Sequence, residues 1–244
     1  MSVPLFRWNG GGPYDVAFST RLGGVSEGPF ESLNLGILTG DDPERVIENR
    51  SRLCRHAGAD PDQATMLWQR HGAGVVRAQA DRGVMTAGFD HPPGDALWTD
   101  ERGLALMLIT ADCLPVAVAR ANGGEPALAV LHVGWRGLLE GVITAAIEAL
   151  GDRRLVAAIG PGIGGCCYEV GEEVAEPFRS RFGAEVLVGK NLDLYAATEK
   201  ALVSAGCTAV ERVEMCTSCH PELFFSHRRD GPATGRQGVI AHVT

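Results

Sequence analysis

Three short apolar segments follow one another in the middle of the chain and constrain its fold more than any other feature. They span residues 104–109, 116–119 and 127–131, and only turns separate them. Each has the length of a strand. Because no helix lies between them, these strands favour an antiparallel or mixed sheet. The pattern predicts an α+β fold rather than a doubly wound α/β fold.

Apolar periodicity predicts further elements on both sides of this region. Strands are expected at residues 14–18, 74–78, 155–159, 210–215 and 238–242. Helices are expected from Pro43 to His56, over residues 137–150, and over residues 192–205, each followed by a glycine within two residues. The chain has no repeat, low-complexity tract or linker, so residues 1–244 are expected to form a single domain.

Composition excludes several classes of partner. The 244-residue chain carries a formal charge of −8, which argues against a general binder of nucleic acid or anionic membranes. No secretory signal is visible, and the apolar stretches are too short to span a membrane. Seven cysteines, an odd number, favour reduced thiols. We therefore expect a cytoplasmic protein with a small-molecule partner; the oligomeric state stays open.

Three polar side chains lie at the ends of the predicted strands. Cys113 precedes one strand, His132 ends another, and His71 lies in Gln-Arg-His-Gly upstream. Cys113 or His132 alone is explained as a core residue, and His71 beside Gly72 alone is weak evidence. Together, one thiol and two imidazoles favour zinc with an open fourth position, or a cysteine nucleophile, Cys113, with His132 as its base. The residues alone leave both open.

Two further motifs match known patterns, but we do not assign them the matching function. Cys216-Thr-Ser-Cys219-His220 matches covalent haem attachment, but that chemistry belongs to exported proteins, so we interpret it as a reduced loop with at most an adventitious metal. Gly160-Pro-Gly-Ile-Gly-Gly165 fits a dinucleotide-binding fingerprint. Because no Rossmann helix is expected after it, we interpret it as a glycine loop that turns close to the pocket.

Ordered motifs lie along nearly the whole chain and include Ser19-Thr-Arg-Leu-Gly-Gly-Val-Ser, Thr110-Ala-Asp-Cys-Leu-Pro, His132-Val-Gly-Trp-Arg-Gly, Ile159-Gly-Pro-Gly-Ile, Cys167-Tyr-Glu-Val, Phe225-Ser226 and Arg228-Arg229-Asp230. By these motifs the chain resembles the YfiH or laccase-domain family. Members were first labelled multicopper polyphenol oxidases and later purine nucleoside phosphorylases. The departures are Arg70, where a hydrophobic residue is usual, and Val133, where alanine is usual.

The resemblance implies a metal site and a fold. His71, Cys113 and His132 would bind zinc, with copper as the other metal considered. The fold would be a mixed β-sandwich with flanking helices, αββα-like, shared with bacterial cytotoxic-necrotising-factor deamidases.

The implied reactions are phosphorolysis of adenosine, inosine, guanosine and methylthioadenosine, and deamination of adenosine. Phosphorolysis needs a held phosphate, for which Arg21, Arg136 and Arg229 are the candidates. Asp112 or Glu169 is the expected proton carrier, and whether Cys113 also takes part in the chemistry stays open. The alternatives are a cysteine hydrolase, a copper-dependent polyphenol oxidase, and a non-enzymatic nucleoside sensor.

Overall fold

The computed structural model describes residues 3–81, 83–87, 91–121, 124–151 and 154–244. The strands in these ranges are β1 (Leu5–Trp8), β2 (Tyr14–Ser19), β3 (Ala64–Met66), β4 (Val75–Arg77), β5 (Ala96–Thr99), β6 (Ala105–Thr110), β7 (Leu114–Arg120), β8 (Leu128–Val133), β9 (Leu155–Ile159), β10 (Leu187–Val188), β11 (Asn191–Leu192), β12 (Cys207–Arg212) and β13 (Gln237–Val243). The α-helices are α1 (Pro43–His56), α2 (Trp135–Glu140), α3 (Val142–Leu150), α4 (Glu172–Phe182), α5 (Leu194–Ser204) and α6 (His227–Asp230).

Two large sheets contain eleven of these strands. One has the order β1-β2-β13-β6-β3 and the other β12-β9-β7-β8-β5-β4, while β10 and β11 pair separately. Both large sheets are mixed, because β3 runs parallel to β6, β4 to β5, and β12 to β9. The predicted α+β class is confirmed. Of the three central segments, β7 and β8 form an antiparallel hairpin, whereas β6 belongs to the other sheet.

The two sheets share an apolar core, and helices cover their outer faces. On β6, Leu106 and Leu108 lie in the core between the sheets, whereas Met107 packs in the cluster that includes Leu53 of α1. On the second sheet, alternate β7 side chains join either the inner core or the cluster covered by α3, α4 and α5. This period of two is what a strand buried on both faces requires. The αββα-like sandwich is confirmed.

The structure differs from the predicted elements at several points, and a left-handed glycine explains one of them. The helix expected over residues 137–150 is two helices, because Gly141 adopts a left-handed φ of 94° between α2 and α3. Strand β12 begins three residues before the predicted 210. The elements that were not predicted are helices α4 and α6 and strands β1, β3, β5, β10 and β11. None of the helices in the described ranges is long and apolar enough to cross a membrane.

Candidate metal centre and active-site cavity

The chain passes from one sheet to the other at the turn that carries Cys113. Strand β6 ends at Thr110 and β7 begins at Leu114 in the opposite sheet. The antiparallel register of β7 and β8 pairs Leu114 with Val133 and Pro115 with His132. Pairing therefore places the start of β7 beside the end of β8, and with it Cys113 beside His132.

A second crossing brings His71 to the same end of the sandwich. The loop between β3 and β4 also connects the two sheets, and it starts beside the end of β6 because β3 and β6 are parallel. His71 adopts a left-handed φ of 61° there. One ligand atom from each of His71, Cys113 and His132 lies within 4.8 Å of the others. The three residues singled out in the sequence are thus brought together.

Asp95 holds His71 and His132 in place through hydrogen bonds. Its Oδ1 accepts a hydrogen bond from His132 Nδ1 at 2.8 Å. Its two oxygens also accept backbone N–H groups of Arg70, His71 and Gly72 at 3.1, 2.9 and 2.7 Å. Burial alone would raise the pKa of Asp95, but these hydrogen bonds lower it below its ordinary value. One carboxylate therefore fixes both the His132 ring and the His71 loop.

The electrostatics favour a thiolate next to an imidazolium. Burial alone would raise the pKa of Cys113, but the charge and hydrogen bond of His132, with a hydrogen bond from His71, lower it to about 6. Burial alone would lower the pKa of His132, but the Cys113 charge and the Asp95 hydrogen bond raise it to about 9. A divalent cation would satisfy the same negative charge in place of the proton.

The donor set fits a metal ion. One thiolate and two imidazoles leave one tetrahedral position open, as in catalytic zinc sites. His132 donates Nδ1–H to a carboxylate, the arrangement that orients a metal-binding imidazole. Gly134 leaves room for the group: a Cβ there would lie 3.0 Å from Cys113 Sγ and 3.4 Å from His71 Cδ2. These residues could hold zinc or copper.

The group opens into a cavity of about 600 Å³. This volume lies within the size range of small-molecule sites. The floor of the cavity includes Asp112, Cys113 and His132. Its walls combine flat apolar surfaces with cationic side chains; they include Leu38, Trp68, Ile109, Trp135, Arg136, Ile163, Tyr168, His227, Arg228 and Arg236. Such a lining suits a ligand with a flat ring at one end and an anion at the other.

Arg136 and Arg228 provide positive charge to this cavity. Arg136 is exposed in the first turn of α2, with its Cζ 4.8 Å from the Trp135 ring centroid. Arg228 lies over Tyr168, 5.2 Å from the ring centroid, and its backbone N–H donates to Asp112 Oδ2 at 2.6 Å. Of the three arginines expected to hold phosphate, the structure thus brings Arg136 to the cavity.

Arg21 and Arg229 are not among the described residues that line the cavity. Their guanidinium groups donate hydrogen bonds to backbone carbonyl groups instead. Arg21 donates to the carbonyls of Glu31 and Pro221 and lies 4.4 Å above the Phe225 ring. Arg229 donates to the carbonyls of Thr217 and Phe224 at 2.8 and 3.0 Å. Successive residues of a helix point about 100° apart, so Arg228 and Arg229 of α6 face different surroundings.

The two expected proton carriers have different positions. Asp112 lines the cavity at a left-handed φ of 90°, and its Oδ1 accepts the Thr217 hydroxyl at 2.6 Å. Glu169 is exposed and outside the cavity, with its carbonyl accepting from Arg228 at 2.8 Å. The structure brings Asp112, but not the Glu169 carboxylate, to the metal group.

Sequence reasoning missed Asp95, and it chose Arg229 where Arg228 lines the cavity. Asp95 precedes an apolar strand directly after Pro-Pro-Gly, and that polar strand-end position was the available signal. The glycine loop prediction is confirmed, because Ile163 lines the cavity. Gly160 and Gly162 allow close packing there: added Cβ atoms would lie 2.3 Å from the Phe18 ring and 2.5 Å from Leu114.

Comparison with known proteins identifies the family. A family model described as multi-copper polyphenol oxidoreductase laccase matches residues 15–244. A protein named purine nucleoside phosphorylase from Deinococcus radiodurans is 40% identical over 234 residues, covering 92% of this chain and 87% of that protein. Purine nucleoside phosphorylase YfiH of Escherichia coli is 36% identical over 230 residues, covering 89% of each.

Solved structures agree with these matches over the whole fold. The structure titled hypothetical protein YfiH from Bacillus licheniformis has a TM-score of 0.87 and 30% identity, covering 95% of this chain and 93% of that one. YlmD from Geobacillus stearothermophilus has a TM-score of 0.82 and 32% identity, covering 95% and 92%. The chain therefore belongs to the laccase-domain family, together with the YfiH and YlmD proteins.

Proposed function

We propose that this protein is a zinc-dependent purine nucleoside phosphorylase that acts on adenosine, inosine, guanosine and methylthioadenosine and also deaminates adenosine. The observation that carries the proposal is the convergence of His71, Cys113 and His132 within 4.8 Å at the floor of an aromatic and cationic cavity. The names of relatives that cover about nine-tenths of the chain support it. The proposed setting is the cytoplasm, where the Cys113 thiol stays reduced.

His71, Cys113 and His132 would hold the metal, and Asp95 would orient His132. When bound, zinc supplies Lewis acidity beside the substrate. The low pKa of Cys113 supports this role because the thiolate is the form that binds metal. The hydrogen bond from His132 Nδ1 to Asp95 keeps the remaining ring nitrogen available.

Different parts of the cavity wall would bind the purine and the phosphate. The rings of Trp68, Trp135 and Tyr168 offer flat surfaces for a purine. Arg136 and Arg228 would hold the phosphate anion and stabilise the charge that develops while the glycosidic bond breaks. We assign the phosphate role to this pair, in place of Arg21 and Arg229, because those two bond to backbone carbonyl groups.

Asp112 would position the phosphate site. Each carboxylate oxygen already accepts a 2.6 Å hydrogen bond, one from Thr217 and one from the Arg228 backbone. A carboxylate held in this way stabilises the turn before Cys113 and the start of α6. We propose that Asp112 acts through Arg228.

A cysteine hydrolase is the second candidate, and a specific observation favours it. Cys113, His132 and Asp95 follow the order nucleophile, base and orienting carboxylate. His71 also forms a hydrogen bond to the Cys113 thiol. A nucleophile–base pair of Cys113 and His132 gives no role to this second histidine, whereas a metal site does. We therefore rank metal binding first.

A multicopper oxidase has less support. In the described parts of the chain, one histidine-containing group with metal-ligand geometry is present, namely the one around Cys113. A blue-copper centre needs two histidines, a cysteine and a weak axial ligand, and a multicopper enzyme needs further copper ligands. An intense blue colour on loading with copper would favour the oxidase.

The decisive experiment measures products and metal together. Purified protein is incubated with each nucleoside, with and without phosphate, and the products are separated by chromatography. The proposal expects free base and ribose 1-phosphate (methylthioribose 1-phosphate from methylthioadenosine) only with phosphate, and inosine from adenosine under both conditions. Cys113→Ala should lose both activities, whereas the control Cys207→Ala should keep them. Equal turnover by both variants would refute the proposal.

A further inference from the structure

Four cysteines outside the catalytic cavity form a second cluster. Cys166 and Cys167 lie in the loop after β9, and Cys216 and Cys219 lie in the loop after β12. Because β9 and β12 are parallel neighbours, these two loops leave the sheet at the same end. All four Sγ atoms lie within 4.8 Å of one another.

The sulfur separations fit one tetrahedral ion. Cys219 Sγ lies 3.5 Å from Cys166 Sγ and 3.4 Å from Cys167 Sγ. With metal–sulfur bonds of about 2.3 Å, tetrahedral geometry places the sulfurs about 3.8 Å apart. A disulfide joins two sulfurs at about 2.05 Å, so it would leave the convergence of the other two unexplained.

Backbone N–H groups beside the cluster stabilise the thiolate of one member, Cys216. Burial alone would raise the pKa of Cys216, but backbone N–H groups of Gly164, Ser218 and Cys219 lower it. Gly164 also makes space, since a Cβ there would lie 3.2 Å from Cys216 Cβ and 3.3 Å from Cys166 Sγ. Both loops therefore approach closely around the four sulfurs.

Exposure supports a bound ion over free thiols. Cys166 and Cys219 are exposed, and exposed thiols close together are prone to oxidation. Four thiolates with no open position form a closed, soft site of the kind that structural zinc prefers. We propose that Cys166, Cys167, Cys216 and Cys219 bind a structural zinc ion, separate from the metal at His71, Cys113 and His132.

This second site would join two walls of the cavity. The first loop carries Ile163 before the cysteines and Tyr168 directly after them, and both line the cavity. The second loop is held to the cavity floor by Thr217, whose hydroxyl donates to Asp112 and whose N–H donates to the Gly162 carbonyl. A metal clamp at this point fixes Tyr168 relative to the turn before Cys113.

The test counts metal by elemental analysis in protein purified anaerobically under reducing conditions with zinc supplied, then freed of excess metal. Wild type and the control Cys207→Ala should hold two equivalents of zinc per chain. Cys113→Ala should keep one, and Cys216→Ser combined with Cys219→Ser should also keep one. If the double variant fails to fold, the Cys113→Ala protein alone decides: one equivalent supports the clamp and none overturns it.

Cobalt supplies an independent readout. Cys113→Ala protein loaded with Co²⁺ should show the sulfur-to-cobalt absorption and visible bands of a tetrahedral four-thiolate site, and these bands should disappear when Cys216 and Cys219 are also replaced. A Cys219 disulfide in wild-type protein prepared in this way, or unchanged cobalt bands in the triple variant, would overturn the proposal. Because the readout is metal and not turnover, this result is independent of the proposed phosphorylase activity.

Discussion

His132 donates its Nδ1 hydrogen bond to Asp95 at 2.8 Å, and both side chains are almost completely buried. The bond joins the end of β8 to the residue before β5, and the same carboxylate holds the backbone of residues 70–72. Asp95 therefore determines the ring orientation of one candidate ligand and the loop conformation of another.

We expect Asp95→Asn to weaken metal binding about 10- to 100-fold, the usual cost of losing a carboxylate behind a metal-binding histidine. The amide keeps the shape of the side chain but loses its charge. Chelator competition would measure the zinc affinity. Asp100→Asn, which removes an exposed carboxylate paired with Arg77, is the matched control and should bind zinc normally; equal affinities would contradict the role of Asp95.

We expect Gly134→Ala to lower metal affinity through steric displacement alone. Gly134 has φ −93° and ψ 171°, a conformation open to any residue, but its added Cβ would lie 3.0 Å from Cys113 Sγ. Isothermal titration with zinc would measure the loss. Gly124→Ala meets no atom within 4 Å and is the control; normal zinc affinity in Gly134→Ala would show that the ligand group tolerates the shift.

In metal-free protein, we expect the alkylation rate of Cys113 to rise with a midpoint near pH 6. The pKa of Cys113 is lowered to about 6, so the reactive thiolate predominates above that pH and is lost below it. Peptide mass spectrometry after iodoacetamide would follow the rate. Zinc should protect the thiol across the range; a midpoint near the ordinary value of about 8.5 would contradict the thiolate–imidazolium pair.

We expect Arg136→Ala to raise the KM for phosphate about 10-fold, which corresponds to about 1.4 kcal/mol, because it removes a cation from the cavity wall. Steady-state kinetics with varied phosphate would measure it. Arg229→Ala should instead lower stability by about 1–3 kcal/mol, because it leaves the Thr217 and Phe224 carbonyls without their donor. The opposite pattern would return the phosphate role to Arg229.

We expect Thr217→Val to destabilise the fold by about 1–3 kcal/mol, since it removes the hydroxyl that donates to Asp112 from a fully buried position at nearly constant volume. Urea unfolding would measure the free energy. If Asp112 acts through Arg228, the variant should also raise the KM for phosphate more than it lowers kcat. Thr208→Val, on β12 outside the cavity lining, serves as the control.

The sequence by itself determined most of the strands, the α+β class and the three candidate ligands. Short apolar segments identified β2, β6, β7, β8, β9 and β13 to within two residues at each end, because a strand buried on both faces is apolar at nearly every position, which is a local property of the chain. The residues themselves grouped His71, Cys113 and His132, and the family resemblance added the zinc assignment before any distance was known.

Only the tertiary structure decided which sheet each strand joined and which polar residues met. The apolar pattern of β6 is the same whether it pairs with β7 or, as observed, with β3 and β13, so pairing between distant segments is invisible in it. For the same reason, the sequence pattern did not predict that Cys166 and Cys167 meet the loop of Cys216, or that Asp95 contacts His132. These contacts join residues 37 or more positions apart, and strand pairing is what brings them together.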